Sequence, residues 1–270
     1  MTGTFNLGWL PRAVILGLVA FVIFGPLANL AIWAFAEAWF FPNKLPSQWG
    51  FRFWEVVFRP TGRAMEALNV SIWIALLTVA VSLIVSIPAG LALARGRLPW
   101  RALIMLAFLL PQAFPSLPVY INVARIFYEF GLNGTVAGVV LVHTLHGLVF
   151  AVWITTAAFA SVDKELEQAA RNLGASGLRT FFSVTLPLAA PGIVASAIFV
   201  FLESLDEFTG SYFVGAPEIQ TLPLTMFLAS MGGNYQISSI TALILLVPSI
   251  GFMLIVERFL KADVMAKIGS

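Results

Sequence analysis

The sequence contains no cysteine and few charged residues. The absence of cysteine excludes disulfides and thiolate metal sites in this chain. Only 10% of the 270 residues are charged, whereas a soluble globular domain carries about 25%. With 60% apolar residues, the chain has too few polar groups to cover its surface in water. The composition therefore predicts an integral membrane protein, and the net charge of +2 gives no indication of nucleic-acid binding.

Long apolar segments predict six membrane-spanning helices, since one span needs about 20 mostly apolar residues. The first run follows Arg12 but is longer than the core of a signal peptide, so we expect a retained span. Three prolines, Pro111, Pro115 and Pro118, make the third span the least regular. The predicted spans are Ala13–Ala36, Leu68–Ala94, Ala102–Ala124, Thr135–Ala160, Ala189–Val214 and Gln236–Val256.

The distribution of Lys and Arg predicts the orientation of these spans. If the N-terminus is cytoplasmic, ten of the fifteen basic residues lie on inner segments. An excess of basic residues in short loops marks the cytoplasmic side, so both termini are expected there. The outer segment Pro42–Arg63 is rich in aromatic residues and is expected at the membrane interface. The inner basic residues are Arg12, Arg95, Arg97, Arg101, Lys164, Arg171, Arg179, Arg258, Lys261 and Lys267.

The cytoplasmic segment Ser161–Ser176 predicts a short amphipathic surface helix. Ser161 or Asp163 can cap its start, and Gly174 can adopt the left-handed conformation that closes a helix. A second helix is expected to begin at Ser176 and to stop at Pro187. Such a segment also suits a solvated loop that only connects two spans.

The spacing in this loop favours a more specific interpretation. Ala169-Ala170 is followed after three residues by Gly174, and nine further residues precede Val184-Thr-Leu186-Pro187. This pattern resembles the EAA loop of permease subunits in binding-protein-dependent ABC importers. Gln168 stands where the family pattern has Glu, and Val184 stands where it has Ile. The resemblance extends from about residue 67 to residue 258.

The resemblance implies an all-α integral membrane protein with six transmembrane helices and the type I ABC importer permease fold. Residues 1–66 would form the first span and the outer interfacial segment, residues 67–258 the permease core, and residues 259–270 a cytoplasmic tail. The loop 161–187 would couple the spans to a separate ATPase. The residues implied in coupling are Glu165, Glu167, Gln168, Ala169, Ala170, Gly174, Ala175, Leu186 and Pro187.

The same resemblance implies partners and a location in the bacterial inner membrane. The partners would be a second permease subunit, a cytoplasmic ATP-binding subunit dimer, a periplasmic or extracellular solute-binding protein and membrane lipid, with no nucleic acid. The sequence lacks a Gly-rich phosphate loop ending in Lys-Ser/Thr. We therefore expect no catalytic residue, cofactor or metal on this chain, and ATP with Mg on the partner ATPase.

Three carboxylates near the end of the fifth predicted span indicate the substrate class. Glu203, Asp206 and Glu207 have the spacing of residues on one helix face, and intramembrane carboxylates usually face a cavity or a partner. The segment Ser204–Phe208 resembles the second permease of spermidine/putrescine importers, which implies a substrate path for a small cation, most specifically a polyamine. Three alternatives stay open, namely another small amino compound as substrate, pairing of these acids with arginines of the partner permease, and capping of a helix end near the outer surface.

Two other protein classes are less consistent with the sequence. A secondary transporter driven by an ion gradient would predict an internal repeat, which is not evident, and a non-transport membrane subunit would not require this loop spacing. His143 and His146 share one face of the fourth predicted span without a nearby carboxylate. We therefore expect them to pack or to hydrogen-bond between helices rather than to bind a metal.

Overall fold

The computed structural model describes residues 10–96 and 98–268, with side chains described from residue 11 to residue 255 apart from Pro60 and Arg97. The chain is almost entirely helical, with one two-stranded antiparallel ribbon formed by β1 (Ala36–Ala38) and β2 (Gln48–Trp49). The helices are α1 (Leu10–Ala34), α2 (Arg52–Phe58), α3 (Ala64–Arg95), α4 (Arg101–Ala113), α5 (Ser116–Glu129), α6 (Val136–Ser161), α7 (Lys164–Asn172), α8 (Gly177–Thr180), α9 (Leu186–Asp206), α10 (Leu222–Met231) and α11 (Tyr235–Ile268).

Five helical segments are long and apolar enough to cross a membrane, among the residues described. They are Pro11–Ala34, Ala64–Arg95, Val136–Ser161, Gly177–Asp206 and Tyr235–Ile255. The pair α4 and α5 qualifies only when taken together, and it is bent by 97°. The predicted span Ala102–Ala124 therefore consists of two helices, and the prediction that it is the least regular span is confirmed. Phe114 takes an extended conformation, as residues before proline prefer, and Pro115 precedes the first residue of α5.

A contact at the end of α3 indicates that the bent pair crosses the membrane once. The guanidinium of Arg95, the last residue of α3, donates a hydrogen bond to the carbonyl oxygen of Val162, which follows the end of α6. The ends of α3 and α6 therefore lie on the same side of the membrane. Because α6 starts on the opposite side, the segment 96–135 must cross between them. The chain thus has six spans, as the sequence predicts.

Residue contacts divide the chain into two units, which are described separately. The first unit contains residues up to 65 and residues 226–244, and the second contains residues 66–225 and the chain from residue 245. In the first unit the β-ribbon places Ala36 opposite Trp49. The ring of Phe35 packs against Phe51 and Trp54 at centroid distances of 5.4 and 5.5 Å. The aromatic residues of the outer segment thus form a packed cluster beside the first span.

The core of the second unit is built around α6, which packs most extensively against α9. Small residues allow this close approach, as is common between membrane helices. A Cβ atom added at Gly192 would lie 2.4 Å from the Cβ of Ala158, and one at Gly90 would lie 2.5 Å from Oγ1 of Thr155. The side chain of Phe159 is fully buried in the same region.

The fifth span differs from its predicted bounds at both ends. Helical structure continues from Gly177 through Pro187 to Asp206, so the prediction of a helix that stops at Pro187 is wrong. A π-helical turn over Phe181–Thr185 precedes the proline, and the N–H of Leu186 donates to the carbonyl of Phe181. The π-helical turn changes the backbone hydrogen bonds from the i→i−4 to the i→i−5 pattern just before Pro187, which has no N–H to donate. At the other end the α-helix stops at Asp206 rather than Val214.

The last helix extends beyond the predicted sixth span. Helix α11 runs to Ile268, so most of the segment predicted as a cytoplasmic tail, residues 259–270, is helical. The predicted inner residue Arg97 and the side chains of Arg258, Lys261 and Lys267 lie outside the described part of the chain. Their proposed contribution to the orientation stays a prediction from sequence.

Candidate functional site

Two regions of the second unit contain most of the residues predicted to act in transport. The coupling loop comprises residues 161–187 and connects α6 to α9. The outer polar cluster comprises Tyr120, His143, His146, Ser204, Glu207 and Ser211, which the structure brings together from α5, α6, α9 and the turn that follows α9. The two regions lie at opposite ends of α6, because His143 is in its first half and Val162 follows its last residue.

The coupling loop has the capped helix that its sequence predicts. The side chain of Asp163 accepts a hydrogen bond of 2.9 Å from the N–H of Glu165 and caps α7. The alternative cap is wrong, since the hydroxyl of Ser161 donates to the carbonyl of Ala158. At the other end Gly174 has φ of +89°, and the N–H of Ala175 donates to the carbonyl of Ala170 at 3.0 Å. This is the Schellman closure that a glycine at this position allows.

Several residues of the coupling loop face outward. Leu166 is half-exposed, and the side chains of Leu173 and Leu178 are 90% and 74% exposed. Gln168 and Ala169 are exposed, and a Cβ at Gly174 would meet nothing within 4 Å. Apolar side chains on the exposed surface of a loop outside the bilayer are typical of a surface that a partner covers.

Glu167 is much less exposed than its neighbours in the coupling loop. One of its carboxylate oxygens, Oε1, lies 3.2 Å from Nη2 of Arg95 and accepts a hydrogen bond of 3.0 Å from the hydroxyl of Thr185. The side chains of Arg95 and Glu167 are only 16% and 13% exposed. Glu167 therefore faces the membrane-spanning helices rather than the exposed surface of the loop.

The sequence did not predict the participation of Arg95 and Thr185 in this region. Arg95 is 72 residues from Glu167, and no local pattern relates residues so far apart. The one available signal was that Arg95 stands at the end of an apolar run. An arginine at this place is equally well explained as a marker of the cytoplasmic side. Leu186, predicted as part of the loop motif, packs against the core that contains Phe159.

The outer polar cluster is organised around Tyr120, which is completely buried. Its hydroxyl donates to Oε2 of Glu207 at 2.6 Å and lies 2.6 Å from Nδ1 of His146. Since a phenol has one hydrogen, which goes to the carboxylate, His146 must supply the hydrogen from Nδ1. The other oxygen of Glu207 accepts from the N–H of Gly210 at 2.9 Å. Both oxygens of this carboxylate are therefore engaged within the chain.

The second histidine of α6 also makes hydrogen bonds between elements. Nδ1 of His143 lies 2.8 Å from the hydroxyl of Ser204, and Nε2 lies 2.9 Å from the hydroxyl of Ser211. The prediction that His143 and His146 hydrogen-bond between helices is confirmed. Within the described residues, no group of three His, Cys, Asp or Glu side chains is arranged to hold a metal ion.

The three carboxylates predicted to form the substrate path are not equivalent. Glu203 is half-buried in the last turns of α9, and Asp206 is exposed at its final residue. The chain leaves the helix at Glu207, which has φ of −77° and ψ of 106°. Its carboxylate accepts hydrogen bonds from the hydroxyl of Tyr120 and from the N–H of Gly210. In the described part of the chain, no basic side chain forms an ion pair with any of the three.

Comparison with known proteins identifies the family. Residues 86–262 match the family model described as the inner membrane component of binding-protein-dependent transport systems. The chain belongs to this family. A putative ABC transporter permease, ORF1 of Streptomyces antibioticus, is 34% identical over 198 residues, covering 72% of this chain and 86% of that protein. Permease subunits of this kind are not enzymes, and ATP hydrolysis takes place on a separate subunit of the importer.

Relatives named for different substrates resemble this permease to a similar degree. The trehalose permease SugB of Mycobacterium tuberculosis is 30% identical over 225 residues, 81% of each chain. The putrescine permease PotI of Escherichia coli is 26% identical over 245 residues, covering 87% of this chain and 85% of that protein. The putative 2-aminoethylphosphonate permease PhnV of Salmonella paratyphi A is 26% identical over 261 residues, 94% and 97% of the two chains.

Solved structures confirm the type I importer permease fold. A chain of a bacterial ABC transporter that imports the acidic polysaccharide alginate superposes with a TM-score of 0.70. The match covers 96% of this permease and 98% of that chain at 18% identity. A second structure of the alginate transporter contains a periplasmic protein bound to an alginate pentasaccharide.

Proposed function

We propose that this permease forms part of the translocation path for a small cationic amine, most specifically a polyamine such as spermidine or putrescine. The observation that carries the proposal is the pair Glu203 and Asp206 at the end of α9, without a basic partner among the described residues. Carboxylates at membrane depth usually face a cavity or a partner. Their attraction for a cation is stronger in partly dehydrated surroundings than in water.

In this proposal the neighbouring Glu207 supports the other two carboxylates. Its oxygens are held by Tyr120 and Gly210, and it keeps its negative charge close to the two free carboxylates. The path would then consist of Glu203 and Asp206 as contact groups with Glu207 behind them. Several sites of moderate affinity allow a cation to enter and leave without being trapped.

We also propose that the coupling loop docks on a cytoplasmic ATP-binding subunit and passes the movement driven by ATP to the spans. The exposed Leu166, Leu173 and Leu178 provide the apolar docking surface. The small residues Ala169 and Gly174 permit close approach of the ATP-binding subunit. A second permease subunit would complete the path, and a solute-binding protein would deliver the substrate. The periplasmic protein in the alginate transporter structure supports the last part by analogy.

The amine proposal is tested by neutralising the two free carboxylates in the complete importer. In proteoliposomes, the double variant Glu203→Gln/Asp206→Asn should lower uptake of radiolabelled spermidine and putrescine by about tenfold, which corresponds to about 1.4 kcal/mol. Glu129→Gln is the matched control, because Glu129 is an exposed carboxylate at the end of α5. It should leave uptake unchanged.

The outcomes of this experiment separate the open interpretations. Normal polyamine uptake by the double variant would overturn the cation path. Loss of the second permease from the purified complex would instead favour pairing of these acids with its arginines. Uptake of 2-aminoethylphosphonate by the unaltered importer, without polyamine uptake, would favour another small amino compound, which the extensive match to PhnV supports.

A further inference from the structure

Glu167, on the inner side of the coupling loop, belongs to a group of buried contacts. Nη2 of Arg95 bonds both the carbonyl of Val162 and Oε1 of Glu167. The same oxygen of Glu167 accepts the hydroxyl of Thr185 at 3.0 Å. One guanidinium nitrogen and one carboxylate oxygen thus join the end of α3, the end of α6, α7 and the turn that leads into α9. We call Arg95, Glu167 and Thr185 the inner strut.

Burial distinguishes the inner strut from an ordinary surface ion pair. The side chains of Arg95 and Glu167 are 16% and 13% exposed, and Thr185 is 4% exposed. Exposed ion pairs contribute little, because water screens them and their side chains lose freedom. When a buried pair loses one partner, the remaining charge is left uncompensated. Removal of either charged side chain of the inner strut therefore leaves a mostly buried charge without its partner, so the contact is costly to break.

Glu167 and the residues proposed to dock face different surroundings. Gln168 and Ala169 follow Glu167 directly in α7 and are exposed, whereas Glu167 points into the bundle. A force applied to the exposed surface of α7 reaches the spans through the covalent ends of the loop and through this carboxylate. The covalent link on the α9 side includes the π-helical turn Phe181–Thr185, and the strut attaches α7 directly to the last residue of that turn.

We propose that Glu167 is a positioning residue that transmits movement of the coupling loop, through Arg95 and Thr185, to α3, α6 and α9 as one body. This proposal rests on the proposed docking of the loop on an ATPase subunit. Without the strut, α7 still docks on the ATPase, but its displacement is absorbed by the loop. ATP hydrolysis then continues while the response of the spans is lost.

The test uses the complete importer in proteoliposomes and two measurements of coupling. The first is the stimulation of ATP hydrolysis by the solute-binding protein, which requires no knowledge of the substrate. The second is the amount of radiolabelled spermidine transported per ATP hydrolysed. Coupling between distant sites is typically worth about 5-fold to 150-fold. Glu167→Gln and Arg95→Gln should each reduce both ratios at least about fivefold, while the ATPase subunit stays bound in a pull-down.

Matched variants distinguish a loss of transmission through the inner strut from a general loss of protein stability. Lys164→Gln removes an exposed charge from the first residue of the same helix and should behave as the unaltered protein. Thr185→Val removes the hydroxyl and should reduce coupling, whereas Thr185→Ser keeps it and should not. The double variant Arg95→Gln/Glu167→Gln should be no worse than either single variant, because groups that act as one unit are not additive.

Each result supports or overturns the strut. Unchanged stimulation and unchanged transport per ATP in Glu167→Gln and Thr185→Val would overturn it, and so would an equal loss in Lys164→Gln. If the unaltered importer is stimulated by its binding protein but carries no polyamine, the amine assignment fails while the stimulation ratio still tests the strut. If the ATPase subunit does not bind the unaltered permease, the proposed docking fails and the strut fails with it.

Discussion

At the scale of single residues, Gly174 gives the most direct test of the coupling loop. It has φ of +89°, and a Cβ there would meet nothing within 4 Å, so a side chain costs backbone strain rather than a collision. The left-handed conformation costs a non-glycine residue about 1–2 kcal/mol. Gly174→Asp should therefore distort the end of α7 and reduce transport per ATP hydrolysed, with normal insertion into the membrane.

Gly177 provides the matched control for this prediction. A Cβ at Gly177 also meets nothing within 4 Å, but its φ is not in the left-handed region. Gly177→Asp adds the same charge three residues away at the start of α8 and should transport normally. If Gly174→Asp supports full uptake and full association with the ATPase, the loop is not the coupling element.

The carboxylates at the end of α9 show what residue spacing can and cannot predict. The spacing of Glu203, Asp206 and Glu207 predicted that they lie together, and they stand at the end of α9, where the chain leaves the helix at Glu207. The spacing did not predict the partners of Glu207, whose carboxylate accepts the Gly210 N–H and the hydroxyl of Tyr120. The Tyr120 contact joins residues 87 positions apart. No local pattern in the sequence could have predicted it.

At the scale of helices, apolar runs predicted most of the spans because the bilayer itself sets their length. The sequence predicted the closing conformation of Gly174 for a similar reason, since a helix end has few local solutions. The structure differs from the predicted spans at prolines, because a helix can accommodate a proline in more than one way. Pro115 accompanies a bend of 97° between α4 and α5, whereas Pro187 is accommodated by a π-helical turn. Tertiary packing chooses between these outcomes, and spacing alone cannot.

The contact between α6 and α9 leads to a prediction at the same scale. A Cβ at Gly192 would lie 2.4 Å from the Cβ of Ala158, so Gly192→Ala must push the two helices apart. Overpacking of this kind costs about 1–3 kcal/mol. We expect a lower midpoint of thermal unfolding in detergent, measured by loss of monodisperse protein after heating.

Two further variants make the packing prediction specific. Gly251→Ala is also a glycine replacement within a helix, but its Cβ would meet nothing within 4 Å. It should leave the midpoint unchanged or raise it, because alanine favours helix by about 1 kcal/mol. Ala158→Gly combined with Gly192→Ala removes the colliding atom and should recover stability. A midpoint for Gly192→Ala equal to that of Gly251→Ala would contradict the close contact.

At the scale of the whole molecule, the six crossings follow from one long-range contact as well as from hydropathy. Since Arg95 contacts Val162 and Glu167, the ends of α3 and α6 share a side of the membrane. The bent pair α4 and α5 must then cross, although neither helix is long enough to do so alone. If the pair only re-entered the membrane, α6 would carry Glu167 to the side opposite Arg95.

This topology is directly testable because the chain contains no cysteine, so a thiol label reports only on an introduced position. Tyr128, near the end of α5, is 77% exposed, and Asn172, at the end of α7, is exposed. Basic residues favour the cytoplasmic side for Asn172. An impermeant maleimide should label Tyr128→Cys in intact cells and Asn172→Cys only after permeabilisation. Labelling of both positions in intact cells would contradict the six crossings, and the reverse pattern would invert the orientation while leaving the crossings in place.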